Sequence, residues 1–449
     1  MVALLIALSV LNIMISFLFL RKQEGKIVLS LDNIFIFCYM FFIYVGFPIC
    51  YINLLEVTTY DNWREFVINY TTFEVFIYYF VALIVEIVFV KSLRIKRLES
   101  LNLNNSVFIS KEKEFTFPIF HLSIIVFIIG LFCEWLYLRA YGGYNNYLEY
   151  SKALRSGIII IKNQFSFLQP FRKLIVFSSY LFLVQIEKNN RNKLLIVGLY
   201  LISLFFSFRV LYANAGRLSM ISFIIIQLLF LFLKKFNFIT FKTVALLFCI
   251  SFIFVGLVGF IGSYLEENIS ESLIDTLCGE LSFIFANFNV EFKNVNQLNF
   301  RWLIDIVVWP IYFLPSSIWT KLGIKTSADI NTALILGSQK GVNGVTGEIP
   351  TDLISISYMQ LGIIGLIILP FVYGFIFNKL FTICDRFKSK DLGKMLKVYL
   401  SFEIAFTIIY ADPLHIINAM FPFFVFIILV FIFDFISKYI KLSTKNKNL

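Results

Sequence analysis

Arg64, Arg139, Arg155, Arg172, Arg209, Arg217 and Arg301 all fall in, or at the edges of, the segments between alternate apolar runs of this chain. A guanidinium is a planar fork of donors that grips a phosphate through two bonds, whereas a lysine offers a point charge. Arg209 and Arg217 flank one short loop, Val-Leu-Tyr-Ala-Asn-Ala-Gly, a spacing that lets two guanidinium groups close on one pyrophosphate. Arg139 and Arg155 bracket a loop rich in Gly and Tyr. The plainer role for any single Arg at a span end is to reach the lipid headgroups with no further purpose.

Carboxylates come next. Glu280 and Asp305 lie in a long polar interruption, and Glu348 and Asp352 flank Pro350 where the apolar pattern resumes. Transfer of a sugar needs a base for the proton of the attacking hydroxyl, and a carboxylate serves. Glu348 and Asp352 are the better placed, because a Gly-rich approach and a helix start would fix them. Most other acids of this stretch read as solvated loop charges. His415, after Asp412-Pro413, has the chemistry of a base or a phosphate contact near neutral pH, although a packing role at a helix end is the plainer reading. His121 reads as structural, and Glu86, Glu134 and Glu403 are intramembrane acids and hence candidates by default.

The elements that must position these groups are apolar helices. A hydrophobic fraction of 59% with only 15% charged residues, and a mean hydropathy of +0.84, exclude an ordinary soluble domain. Windows of about 20 apolar residues predict spans near 1–20, 33–55, 70–90, 117–138, 172–186, 194–208, 217–233, 243–263, 351–378, 398–411 and 414–436. The expected fold is an all-α polytopic membrane protein with about 11 (10–12) transmembrane helices. It divides into residues 1–263, a long outer loop 264–350 and a last group of spans with a tail, 351–449. The first run lacks a basic leader and a small-residue cleavage site and is followed by Arg21-Lys22, so it reads as a span with its N-terminus outside.

The gaps alternate in charge. One set holds 25 of the 39 Lys and Arg, mostly Lys, and reads as cytoplasmic; the other carries the arginines named above. The net charge of +11 therefore reports orientation and anionic lipid, not nucleic acid. In the loop 264–350, stretches 272–290 and 302–319 mix apolar and polar residues as helices on a membrane surface do. The six cysteines are scattered singly, predicting neither a metal site nor a disulfide framework. Gly337-Ser-Gln-Lys-Gly lacks the ending of a phosphate-binding loop, and no Asp-x-Asp occurs, so neither ATP drive nor a metal-dependent nucleotide-sugar transferase is expected.

The layout, with Gly142-Gly-Tyr-Asn-Asn-Tyr through Arg155-Ser-Gly, Ala-Gly216-Arg217, Gly347-Glu-Ile-Pro and Met359-Gln-Leu-Gly-Ile-Ile-Gly365, resembles the O-antigen and capsular oligosaccharide repeat-unit polymerases (Wzy type). Unlike the related O-antigen ligases, this chain has no His in its long outer loop. The resemblance implies a GT-C-like fold in the bacterial inner membrane with its active face periplasmic. It also implies undecaprenyl-pyrophosphate-linked glycans as donor and acceptor, a chain-length regulator protein as partner, and no cofactor. On that reading Arg139, Arg155, Arg209 and Arg217 bind pyrophosphate, and Glu348 or Asp352 is the base, with Asp412 and His415 in reserve. A lipid-linked oligosaccharide flippase, a ligase and a small-solute transporter are the competing readings.

Overall fold

The computed structural model describes residues 1–23, 26–27, 30–56, 64–95, 118–155, 163–186, 192–214, 217–235, 273–294, 300–345 and 347–446. Apart from a two-residue antiparallel pair, Lys22–Gln23 with Lys26–Ile27, the regular elements described are helical. The main helices are α1 (Val2–Leu18), α2 (Leu31–Tyr39), α3 (Gly46–Glu56), α4 (Thr72–Arg94), α5 (Ile119–Arg139), α6 (Tyr144–Arg155), α7 (Gln169–Ile186) and α8 (Lys193–Ala213). They continue as α9 (Arg217–Lys235), α10 (Leu273–Lys293), α11 (Ser327–Leu336), α12 (Leu353–Leu361), α13 (Gly365–Asp385), α14 (Lys390–Phe406) and α15 (Pro413–Asn446).

Among the described residues, seven helical stretches are long and apolar enough to cross a membrane: Asp32–Glu56, Thr72–Arg94, Ile119–Arg139, Ser166–Ile186, Lys193–Ala213, Leu353–Asp385 and Pro413–Ile436. Val2–Leu18 and Ser222–Lys234 are shorter apolar helices. The chain is a membrane-embedded helical protein. The expected span 243–263 lies outside the described residues.

The sides expected from sequence are internally consistent. Asp32 pairs with Arg21 (3.0 Å) and Arg94 (2.6 Å), tying the ends of α1 and α4 to the start of α2. Lys234 meets Asp391 and Lys397 meets Asp385, again within the lysine-rich set. Lys293 meets Glu74 (3.3 Å) in the other set. Each of these pairs joins residues expected on one side. Below, the two ends are called the lysine-rich face and the opposite face.

Local chemistry sets the helix ends. Thr71 and Glu74 form a capping box at the start of α4, and Thr326 and Asp329 form another at α11, which stops at Gly337 with φ +71°. Glu86 is buried on α4 and accepts from Tyr44 and Ser16, both at 2.7 Å, which fixes a π-helical turn at Met40–Val45 against α1.

Two expectations are corrected. The stretch 351–378 is not one straight span: α12 ends at Gly362 (φ +60°), and α13 folds back beside it as a hairpin. A Cβ at Gly365 would stand 1.9 Å from the Ser357 carbonyl oxygen, and one at Gly374 would stand 2.8 Å from that of Phe89, so glycine permits both approaches. The stretch 272–290 does not lie on a membrane surface. From Ser282 to Glu291 α10 is buried at every position, packed on α3, α11 and α12, with Phe285 stacked on Phe47 at 4.5 Å. Ser282 and the amide nitrogens of Asn287 and Asn289 bond to protein groups, and that mixture imitates an interfacial helix in sequence. The segment 302–319 does expose apolar side chains, among them Trp302, Val307 and Phe313, as an interfacial segment would.

Candidate functional site

Two interruptions of helix run side by side. Residues 349–352 lead into α12 and 407–412 lead into α15; Leu353 N–H donates to the Ile408 carbonyl (3.2 Å) and Ala411 N–H to that of Thr351 (2.8 Å). Tyr373 donates to the Ala411 carbonyl (2.9 Å). Tyr373 comes about two turns after Gly365, so the breaks sit roughly 12 Å from the exposed tip at Ile363–Ile364.

An aspartate closes each break, and their environments differ. Asp352 is fully buried: Oδ1 accepts from the Ile354 and Ser355 N–H groups (2.9 and 3.0 Å), and Oδ2 from Asn287 (3.2 Å). It is a buried helix cap with both oxygens engaged. Asp412 serves two helices at once. It accepts from Ser327 (2.7 Å) and Ala328 N–H (3.2 Å) at the start of α11, and from Leu414 N–H (2.8 Å) at the start of α15.

Glu348 and His415 reach the surface on either side of Asp412. Glu348 is exposed at its tip yet crowded by protein. That crowding, with the charges of Asp329 and Asp412, raises its pKa, and Lys340 opposes the shift. His415 is exposed and stacked on Tyr410 at 4.7 Å. Lys173 of α7 donates to the Asn418 carbonyl (2.9 Å) and stands within electrostatic reach of His415 and of Glu403 on α14. Lys173, Glu403 and His415 lie on α7, α14 and α15, which pack against one another, and all three remain half-buried or exposed. Lys173 was missed at the sequence level. Its signal was a second cation beside Arg172, at the start of an apolar span.

The arginines form a separate group around α6. Arg172 is fully buried and forked onto Glu134, with the Tyr137 and Tyr147 rings at 4.2 and 5.0 Å from the guanidinium. Asn214 Oδ1 accepts from it at 3.2 Å and from the Tyr147 hydroxyl at 3.2 Å. Arg209 lies within α8, which runs on to Ala213, and its guanidinium is 3.9 Å from the Tyr144 ring. Arg139 is exposed and folds over Trp135 at 5.6 Å. Arg155 ends α6 and Arg217 begins α9, but their side chains lie outside the described residues. Arg301 is forked onto Asp305 (2.5 and 2.6 Å), which also accepts from Gln360. The structure therefore joins Glu348, Asp412 and His415 in one region, adds Lys173, and sets Asp352 aside.

Among the described residues no group of three or more His, Cys, Asp and Glu is placed to hold a metal ion. No family model, curated protein or solved structure matches this chain.

Proposed function

We propose that this protein polymerises undecaprenyl-pyrophosphate-linked oligosaccharide repeat units at the face opposite its lysines, the periplasmic face of a bacterial inner membrane. The observation that carries the reading is Glu348: an exposed carboxylate with raised proton affinity, within electrostatic reach of Asp412, which stands three residues before His415. Glu348 takes the proton as the acceptor sugar's hydroxyl oxygen bonds to the anomeric carbon of the growing chain. The bond from that carbon to the lipid pyrophosphate breaks, and the pyrophosphate leaves with the electron pair. Lys173, with Arg209 and Arg217 at the same face, supplies positive charge for the departing group.

Deletion of the gene in its own strain, followed by gel analysis of the surface glycan, tests this. Collapse of the ladder to a single capped repeat, restored by wild type and not by Glu348→Gln, is the expected result. A full ladder from Glu348→Gln removes the assigned base. Loss of every repeat on deletion identifies a flippase or ligase instead.

A further inference from the structure

Behind the Asp352 cap lies a second acid that the proposed reaction does not use. Glu291 of α10 is fully buried, and neither of its carboxylate oxygens has a hydrogen-bond partner. Its electrostatic neighbour is another carboxylate, Asp352, and the phenols of Tyr70 and Tyr358 sense its charge. One turn earlier on the same face stands Asn287, also fully buried. Its amide nitrogen donates to the Pro350 carbonyl (2.8 Å) and to Asp352, which fixes the flip and leaves Oδ1 without a partner. The Tyr78 hydroxyl, within electrostatic reach of Asp352, is buried and unpartnered as well.

An isolated buried carboxylate is too costly to persist alone. Glu291 is the carboxylate that no donor meets, whereas Asp352 is served by two backbone N–H groups and an amide. The unmet polar atoms, two carboxylate oxygens, an amide oxygen and a phenol, are oxygen donors of the kind that hold hard cations. One unit of positive charge answers one uncompensated carboxylate, which favours a monovalent ion over a divalent one. We infer that Glu291, Asn287 Oδ1 and the Asp352 break form a binding site for a sodium-sized monovalent cation, which locks α10 to the start of α12. The inference stands apart from the glycan chemistry proposed above.

The test is thermal unfolding of the purified full chain in zwitterionic nanodiscs, in NaCl, KCl or N-methyl-D-glucamine chloride at equal ionic strength. Sodium should raise Tm over the organic cation, with a shift that grows with the logarithm of its concentration. Glu291→Gln, which keeps the shape and removes the charge, should fold and show no sodium shift. Asn287→Ala should need about tenfold more sodium for the same shift, the loss of one good oxygen ligand. Equal Tm in sodium and in the organic cation overturns the site, as does an undiminished shift in Glu291→Gln. If Glu291→Gln does not fold, an unchanged sodium requirement in Asn287→Ala overturns it by itself. A Tm that rises with acid and ignores sodium assigns the charge to a proton and also overturns it.

Discussion

Arg172 and Glu134 offer the sharpest test of how the opposite face is built. The pair is buried on α7 and α5, and the same guanidinium reaches two tyrosine rings and Asn214. Removing one partner of such a pair leaves the other charged and dry, at a cost of about 3–5 kcal/mol. Glu134→Leu and Arg172→Met should each lose about that much, and their sum would then be about 6–10 kcal/mol. The double variant leaves no buried charge. What it still lacks is the contact with two rings, about 1–2 kcal/mol each when desolvated. It should therefore lose only about 2–4 kcal/mol, so the coupling energy should be at least about 2 kcal/mol. Unfolding in mixed micelles, read by tryptophan fluorescence, measures all three variants against wild type. Limited proteolysis within 139–171 reports whether α6 has come away from α8, onto which Tyr144 and Tyr147 hold it. Single variants within about 1 kcal/mol of wild type, or a double variant equal to the sum of the singles, would refute the buried-pair account.

Three further outcomes follow from the geometry. Because Glu348 must be ionised to act as base and its pKa is raised, glycan extension should fall, as pH drops, earlier than an ordinary glutamate predicts. Lys340→Ala should move that acid limb to higher pH and Asp329→Asn to lower pH; a limb unmoved by both would show that Glu348 is not the titrating group. Arg209→Ala and Arg217→Ala should abolish extension while insertion and abundance stay as in wild type, checked by ladder gel and immunoblot; normal ladders from both would end the pyrophosphate-clamp idea. Gly365→Ala puts a methyl group against the Ser357 carbonyl and should lower Tm and abundance, whereas Gly347→Ala, with open space around it, should leave both unchanged.

Much of the scaffold was legible in the chain itself. The hydrocarbon layer demands about 20 apolar residues per crossing helix, so stretches such as Thr72–Arg94 and Lys193–Ala213 announce themselves by composition. The grouping of the gaps into two ends follows from their alternation, and pairs such as Arg94 with Asp32 join residues expected at the same end. The capping box at Thr71 and Glu74 and the glycine stop at Gly337 are equally local signals.

The site was a different matter. Glu348, Asp352 and His415 were visible as candidates, but nothing local distinguishes a carboxylate that caps a helix from one that meets a substrate. What surrounds each carboxylate comes from residues distant in sequence: Asn287 donates to Asp352, while Ser327 and Ala328 donate to Asp412. The amphipathic pattern of α10 fits a membrane surface and a polar interior equally well, and only its packing on α3, α11 and α12 decides between them. Sequence sets which groups are present and which segments cross, because hydropathy and charge act residue by residue. Tertiary structure decides which of those groups stay reachable, because desolvation and hydrogen bonding depend on what the rest of the chain brings beside them.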